Sequence, residues 1–249
     1  MAGGGQRITL SETDGVRYLH FGTEWVQGAM RLSRPWSLEL EYLQHMMATG
    51  LLRPDPRRIL QLGLGAAGLA RFCHRHLPRA RLAVVEIDPE VIAVAHRWFR
   101  LPQPDARLEL VAADARAALR DRPGSADWLQ VDLYDAQARG PVHDDPAFYR
   151  ACRDALRPGG AASFNLFGRR IAPSLAAITA AFGDRWLRLA PTPEGNVIVL
   201  AHAGEAADPA TLRARARRME DRLGLPARSW LPGLRDARSR NAVPEHPSL

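Results

Sequence analysis

An α/β fold built on a mostly parallel sheet is what this sequence predicts, and three observations carry it. Between residues 58 and 182, short apolar runs alternate with helical stretches five times. The first of these junctions is a glycine-rich turn, Gly63-Leu64-Gly65-Ala66-Ala67-Gly68. The last two apolar runs, 186–191 and 196–202, have no helix between them. Strands read as short continuous apolar runs when helices cover both faces of the sheet, and this pattern puts the sheet in the middle of the molecule.

Each element follows from local sequence. Residues 17–33 alternate apolar and polar side chains around Gly22 and Gly28, which predicts short antiparallel strands. Pro35 then opens an expected helix over 36–52, with Leu38, Tyr42, Leu43 and Met46 on one face and Gly50 near its end. Pro54 and Pro56 mark a boundary. The strand candidates beyond it are 58–64, 82–87, 108–113, 128–134 and 161–167, with helices at 68–77, 89–99, 115–121, 145–156 and 173–182. The runs 186–191 and 196–202 predict an antiparallel hairpin at the end of the sheet. Five β–α units closed by such a hairpin describe the seven-stranded, Rossmann-like sheet of the class I S-adenosylmethionine-dependent methyltransferase type rather than the six-stranded dinucleotide fold. Asp208 and Pro209 start one more amphipathic helix as N-cap and first residue. Three segments are expected: a small N-terminal β-strand region plus helix over 1–53, the methyltransferase-like α/β domain over 54–225, and a loosely ordered Pro- and Arg-rich tail over 226–249.

Composition removes several function classes. The 249 residues carry a net charge of +7, and every one of the 34 basic side chains is Arg. Without Lys there is no Schiff-base lysine, no P-loop lysine and no lysine general base. The arginines are interspersed with Asp and Glu rather than gathered in a run, so the charge reads as a codon bias and not as a nucleic-acid partner. The run at 213–222, interrupted by Glu220 and Asp221, reads as a solvated helix face. Cys73 and Cys152 cannot build a disulfide framework. No apolar stretch reaches the ~18 residues of a membrane span, which predicts a cytoplasmic protein without a membrane partner. Cys73-His74-Arg75-His76 supplies two metal ligands without a third, so no metal is expected, and a surface helix turn explains it.

Ligands of open α/β sheets bind outside the carboxyl ends of the strands. Four such ends carry suggestive residues. The glycine turn lets the backbone approach a ligand at a helix N-terminus, and fits NAD, FAD and S-adenosyl ligands alike as well as a plain tight turn. Glu86, about 20 residues on, can accept both ribose hydroxyls of a nucleoside, while Asp88 before Pro89 reads as a helix N-cap. Asp114, followed by Ala115, can accept the adenine amino group or cap the next helix. Asp132-Leu133-Tyr134-Asp135 puts two carboxylates at the sheet edge, where one could take a proton from, or orient, an attacking amine; a surface turn with Asp135 solvated is the alternative. His143-Asp144-Asp145 reads as helix capping or as acids that could meet a cation. Asn165 ends the fifth strand, and its amide could reach the site.

Taken together, GLGAAG, VVEIDPEVIAVAHRWF, Asp114-Ala115-Arg116 and VDLYD resemble the spermidine synthase (polyamine aminopropyltransferase) family over roughly residues 17–203. The resemblance implies a transferase that moves an aminopropyl group from decarboxylated S-adenosylmethionine to a polyamine such as putrescine. By position, Gly63 and Gly65 would line the methionine part of the co-substrate, Glu86 would bind its ribose, and Asp114 with Ala115 its adenine. Asp132 would be the general base, with Asp135 beside it as a substrate contact; a homodimer is implied as well. Three departures accompany it. Ala66 stands where the family carries an Asp that disfavours the carboxylate of ordinary S-adenosylmethionine. The polyamine-gripping Tyr-(His/Gln)-Glu reads Leu40-Glu41-Tyr42, which offers Glu41 and Tyr42 as substrate contacts in another order. The usual Asp-Ser-Ser-Asp is Asp-Leu-Tyr-Asp. An S-adenosylmethionine-dependent methyltransferase on a small acceptor is the alternative, followed by a non-catalytic nucleoside-binding protein and, more distantly, an NAD dehydrogenase. The expected pocket is acidic in a basic molecule, and only focusing by its carboxylates could draw in a polyamine.

Overall fold

The computed structural model describes residues 8–134, 141–168 and 171–237. Three antiparallel strands come first: β1 (Ile8–Thr13), β2 (Val16–Phe21) and β3 (Val26–Arg31), in the order β1-β2-β3. Two short helices follow, α1 (Glu41–Met46) and α2 (Thr49–Leu52). The alternating part comprises β4 (Arg58–Leu62), α3 (Gly68–His76), β5 (Arg81–Glu86), α4 (Pro89–Trp98), β6 (Leu108–Ala112), α5 (Ala115–Arg120), β7 (Ala126–Val131), α6 (Pro146–Ala155), β8 (Leu156–Phe167) and α7 (Ala172–Phe182). It closes with β9 (Trp186–Arg188), β10 (Asn196–His202), α8 (Pro209–Leu223), α9 (Ala227–Trp230) and β11 (Arg235–Asp236).

The large sheet runs β11-β9-β10-β8-β7-β4-β5-β6. Strands β4 to β8 pair in parallel, whereas β10 is antiparallel to both β8 and β9. The hairpin's second strand is therefore inserted between β8 and the first. Chain order reverses between β4 and β7, and a sheet of this kind leaves its binding crevice at that point. Successive residues serve opposite faces. In β5, Leu82 and Val84 pack with α3 and α4 residues such as Phe72 and Val91, while Val85 packs with Ala118 and Leu119 of α5. In β10, Ile198 and Leu200 face the first layer and Val197 and Val199 the second.

A smaller cluster of Leu19, Met30, Ala66 and Phe99 fastens the three-stranded sheet onto the glycine turn. The approach is close, because a Cβ on Gly28 would collide with the Ala66 side chain. Arg71, buried in α3, completes the fastening: it donates to the carbonyls of Pro35, Ala66 and Phe99.

Several elements differ from expectation. The helix expected over 36–52 begins only at Glu41 and is interrupted at Met47–Ala48. Side chains hold the preceding segment in turns: Arg31 pairs with Glu39, Gln44 Nε2 donates to the Leu38 carbonyl, and Ser37 Oγ donates to the Arg34 carbonyl. The expected loose tail is folded as far as Ala237. Ala227 and Trp230 are buried, and β11 pairs with β9, adding an eighth strand. The arginines of α8 are more than a solvated face. Arg215 donates to the carbonyls of Leu51 and Leu52 at the end of α2, and Arg222 pairs with Asp55. Cys73, expected on a surface turn, is fully buried, and its thiol is pushed up to about 12 by burial.

Candidate active site

At the carboxyl ends of the parallel strands, beneath the β2–β3 connection, lies a cavity of about 470 Å³. The glycine turn forms part of its wall. Gly63 has φ +94°, and a Cβ there would overlap the carbonyl oxygen of Asp132, so only glycine fits. That contact presses the end of β7 against the turn, and Asp132 N–H completes it by donating to the Leu62 carbonyl at 2.9 Å. Ala66, by contrast, is not among the residues lining this cavity, and its methyl packs against Gly28.

Glu86 ends β5 with each carboxylate oxygen on a main-chain donor: Leu64 N–H at 3.0 Å and Asp88 N–H at 3.0 Å. Each oxygen keeps a lone pair for a further donor. Burial pushes its carboxyl above the usual range, against the pull of those N–H groups. Asp88 caps α4 through Glu90 N–H at 2.8 Å. Asp114 caps α5 through Ala117 N–H at 3.1 Å, and its other oxygen lies 3.4 Å from His143 Nε2. Burial acts to raise its carboxyl, but the N–H groups and His143 hold it below the ordinary value. Ala115, Gly65 and His143 line the same cavity.

Asp132 sits centrally, one residue past the end of β7. Asn165 Nδ2 donates to its Oδ1 at 2.9 Å, and Tyr42 of α1 donates to its Oδ2 at 3.2 Å. Burial raises this carboxyl above the usual range, and the two donors work against that rise. Burial and the facing Asp132 carboxylate push the Tyr42 phenol well up, so Tyr42 stays a donor at neutral pH. Behind Asn165, Asn196 Nδ2 donates to its Oδ1 at 3.0 Å, and Tyr134 OH donates to its main-chain carbonyl at 2.8 Å.

Thus Gly63, Gly65, Glu86, Asp114, Ala115, Asp132 and Tyr42 meet around one cavity, and Asn165 with them. Glu41 is not among the lining residues: it is exposed at the start of α1, 3.5 Å from His45, while the neighbouring Tyr42 is the one that reaches Asp132. Asp135 lies outside the described residues. Of the His143-Asp144-Asp145 trio, Asp145 caps α6 and pairs with Arg116, which hold its carboxyl down at about 2. Asp144 accepts from Tyr149 and Ser174, and His143 alone of the three reaches the cavity. Sequence reasoning missed His143 as a lining residue, along with Gln27, Trp25, Glu24, Glu194 and Asn196. These come from the connections between elements or, for Gln27 and Asn196, from the first residues of strands, where no periodicity marks an inward side chain. Among the described residues no group of three or more His, Cys, Asp or Glu could hold a metal ion, and no helix is long and apolar enough to cross a membrane.

The arrangement offers hydrogen-bond acceptors at the strand ends, a glycine turn in the wall, and a half-buried carboxylate beside an open space. Comparison with known proteins agrees with that reading. Residues 59–160 match the model of a methyltransferase domain. A polyamine aminopropyltransferase of Chromobacterium violaceum is 33% identical over 239 residues, which span 94% of this chain and 92% of that protein. Among solved structures, a probable spermidine synthase of Corynebacterium glutamicum superposes with a TM-score of 0.72 at 22% identity, covering 91% of this chain and 90% of the other. Human methyltransferase-like protein 13 in complex with SAH superposes with a TM-score of 0.66 at 26% identity, covering 74% and 93%.

Proposed function

This chain belongs to the polyamine aminopropyltransferase family, and we propose that it transfers an aminopropyl group from decarboxylated S-adenosylmethionine to a diamine such as putrescine, with Asp132 as general base. The observation that carries the reading is the half-buried Asp132 in the cavity wall, its carboxylate held by two donors and pushed up by desolvation.

In this reading the co-substrate lies along the carboxyl ends of β4 to β6. Glu86 accepts from the ribose hydroxyls with the lone pairs its main-chain donors leave free, and Asp114, with Ala115 beside it, accepts from the adenine amino group. Gly63 and Gly65 let the methionine-derived part pass close to the turn. The sulfonium makes the adjacent methylene carbon electrophilic. Asp132 takes a proton from the attacking ammonium, and the freed nitrogen lone pair forms the new N–C bond while the C–S bond breaks. The bonding electrons go to sulfur, which leaves as the thioether of methylthioadenosine. The product nitrogen carries the positive charge, and Asp132 returns its proton to solvent. A base raised above the usual carboxylate range is better matched to an amine, and positioning supplies the remaining advantage. Tyr42 contributes by orienting Asp132 at the acceptor side. Glu24 and Glu194, on the same side, add to the negative potential that draws in a cationic amine.

One observation favours a second reading, S-adenosylmethionine-dependent methyl transfer to a small acceptor. The Ala66 methyl is buried against Gly28, so the glycine turn carries no side-chain carboxylate to repel that of ordinary S-adenosylmethionine. Incubation with putrescine and each co-substrate in turn, followed by product mass, separates the two. A gain of one aminopropyl group supports the first reading and a gain of one methyl group the second; stabilisation by either compound without turnover would leave a binding protein and sink both. The family also suggests a cytoplasmic homodimer, which sedimentation would test for the oligomer. We take residues 54–225, extended by the strand at Arg235–Asp236, as the α/β domain and the described residues 8–53 as the part that covers its cavity.

A further inference from the structure

The amides behind Asp132 form a chain with a direction. Asn165 Nδ2 donates to Asp132 Oδ1, and Asn165 Oδ1 accepts from Asn196 Nδ2. The two asparagines are 4% and 8% exposed. They are diagonal neighbours on antiparallel β8 and β10, since Asn165 is opposite Ile198 and Asn196 opposite Phe167, so both project from one face of the sheet. The backbone of Asn196 is itself held from both sides: its N–H donates to Thr192 Oγ1 at 3.2 Å, and its carbonyl accepts from Thr192 N–H at 2.9 Å. Thr192 is buried.

A carboxamide has a donor end and an acceptor end, exchanged by a half turn with almost no change in shape. Asn165 alone could present either end to Asp132. With the Asn196 amino group against its oxygen, only one orientation makes both hydrogen bonds, and that orientation turns the Asn165 amino group to the carboxylate. The demand on it is high. Tyr42 supplies the other donor from α1, while Glu86 from β5, Glu24 from the β2–β3 connection and Glu194 from the β9–β10 turn line the same cavity, and Tyr134 follows Asp132 in its own segment. The Asp114–His143 pair lies at the nucleoside end. Desolvation disfavours the ionised form of Asp132, and the donors fixed upon it work against that.

We propose that Asn196 is a positioning residue for the transfer reaction: through Asn165 it holds a hydrogen-bond donor on Asp132 and keeps that carboxylate competent as a base. This rests on the assignment of Asp132 as general base. Asn196→Asp nearly preserves shape, but a carboxylate at 196 only accepts, so it turns the Asn165 amide around and sets an oxygen against Asp132. With the amine and co-substrate identified by the product-mass assay, the acid limb of the kcat profile should move up by about one pH unit, with kcat at neutral pH down about tenfold and KM for the amine changed by less than about twofold. Asn196→Ala, which adds no charge, should move the limb the same way by a smaller amount with kcat down about threefold. Unchanged affinity for methylthioadenosine verifies that each variant is folded. Wild-type limbs in both variants, or a change in KM alone, would overturn the inference. Asp132→Asn, assayed alongside, separates the two claims. If it is inactive while the 196 variants keep the wild-type limb, only the role of Asn196 falls; if it is fully active, both fall.

Discussion

At one end of the cavity Glu86 and Asp114 are held by main-chain N–H groups, whereas Asp132 at the other end is held by the side chains of Tyr42 and Asn165. The first arrangement uses main-chain donors, mostly close in sequence: Glu86 takes the N–H of Asp88 two residues on and of Leu64 22 residues earlier, and Asp114 that of Ala117 three residues on. The second is assembled across the chain, from a tyrosine 90 residues earlier and an asparagine 33 residues later. Main-chain donors come with the fold and survive most substitutions. Side-chain donors have to be supplied one by one, and each can be lost alone. Electrostatics divide the acids differently: Asp114, half in solvent, is held low, while Glu86 and the half-buried Asp132 are both pushed up by burial despite their donors.

Substitutions that break one end and spare the other test this division. The largest effect belongs to Asp132→Asn, which should lower kcat by about 10²–10⁴-fold while methylthioadenosine binds as to the wild type; a variant of undiminished rate would sink the base assignment. Next, Glu86→Gln should weaken methylthioadenosine binding by about 1.5–3 kcal/mol, measured by calorimetry, with a much smaller change in kcat at saturating co-substrate. Equal losses in both quantities would mean that the two ends are not separable.

Tyr42→Phe sharpens the comparison with a smaller and more particular effect. The wild-type rate should fall as pH drops through the Asp132 pKa, which lies above the ordinary carboxylate value because of burial. Removing a donor that favours the ionised form raises that pKa further, so the acid limb should move to higher pH, with kcat down about five- to tenfold. A limb that stays put would show that Tyr42 does not govern the charge on Asp132. Remote from both ends, Asp208→Ala removes the cap that accepts from Ala210 and Thr211 N–H at the start of α8. It should cost about 1 kcal/mol in denaturant unfolding with the kinetic constants unchanged.

The same division explains what could be read from the chain in advance. Glu86 was legible because an acid ending a Val-Val run has no packing role, and Asp114 because it directly precedes a helix. Asp132 was legible from the strand it ends and from the family resemblance. The far-side donors were not. Tyr42 could be named only by resemblance, together with a Glu41 that the helix turns outward. Asn196 had no signal at all, since an asparagine beginning a strand reads as a turn residue until its neighbour across the sheet is known. The same holds for the segment after Pro226. Its Pro and Arg content reads as loose chain, yet Ala227 and Trp230 pack on the core and β11 pairs with an edge strand.

By itself, then, the sequence determined the layered α/β fold, the edge of the sheet where the site lies and the acids at its strand ends. Those depend on periodicity and on turn chemistry within a few residues, which a linear pattern records directly. Tertiary structure alone decided that Gly63 accommodates the Asp132 carbonyl, that the Ala66 methyl packs against Gly28, and that Asn196 backs Asn165 behind Asp132. Each of these is a contact between residues tens of positions apart, set by the register of neighbouring strands and the docking of the small sheet, and no local pattern encodes such distances.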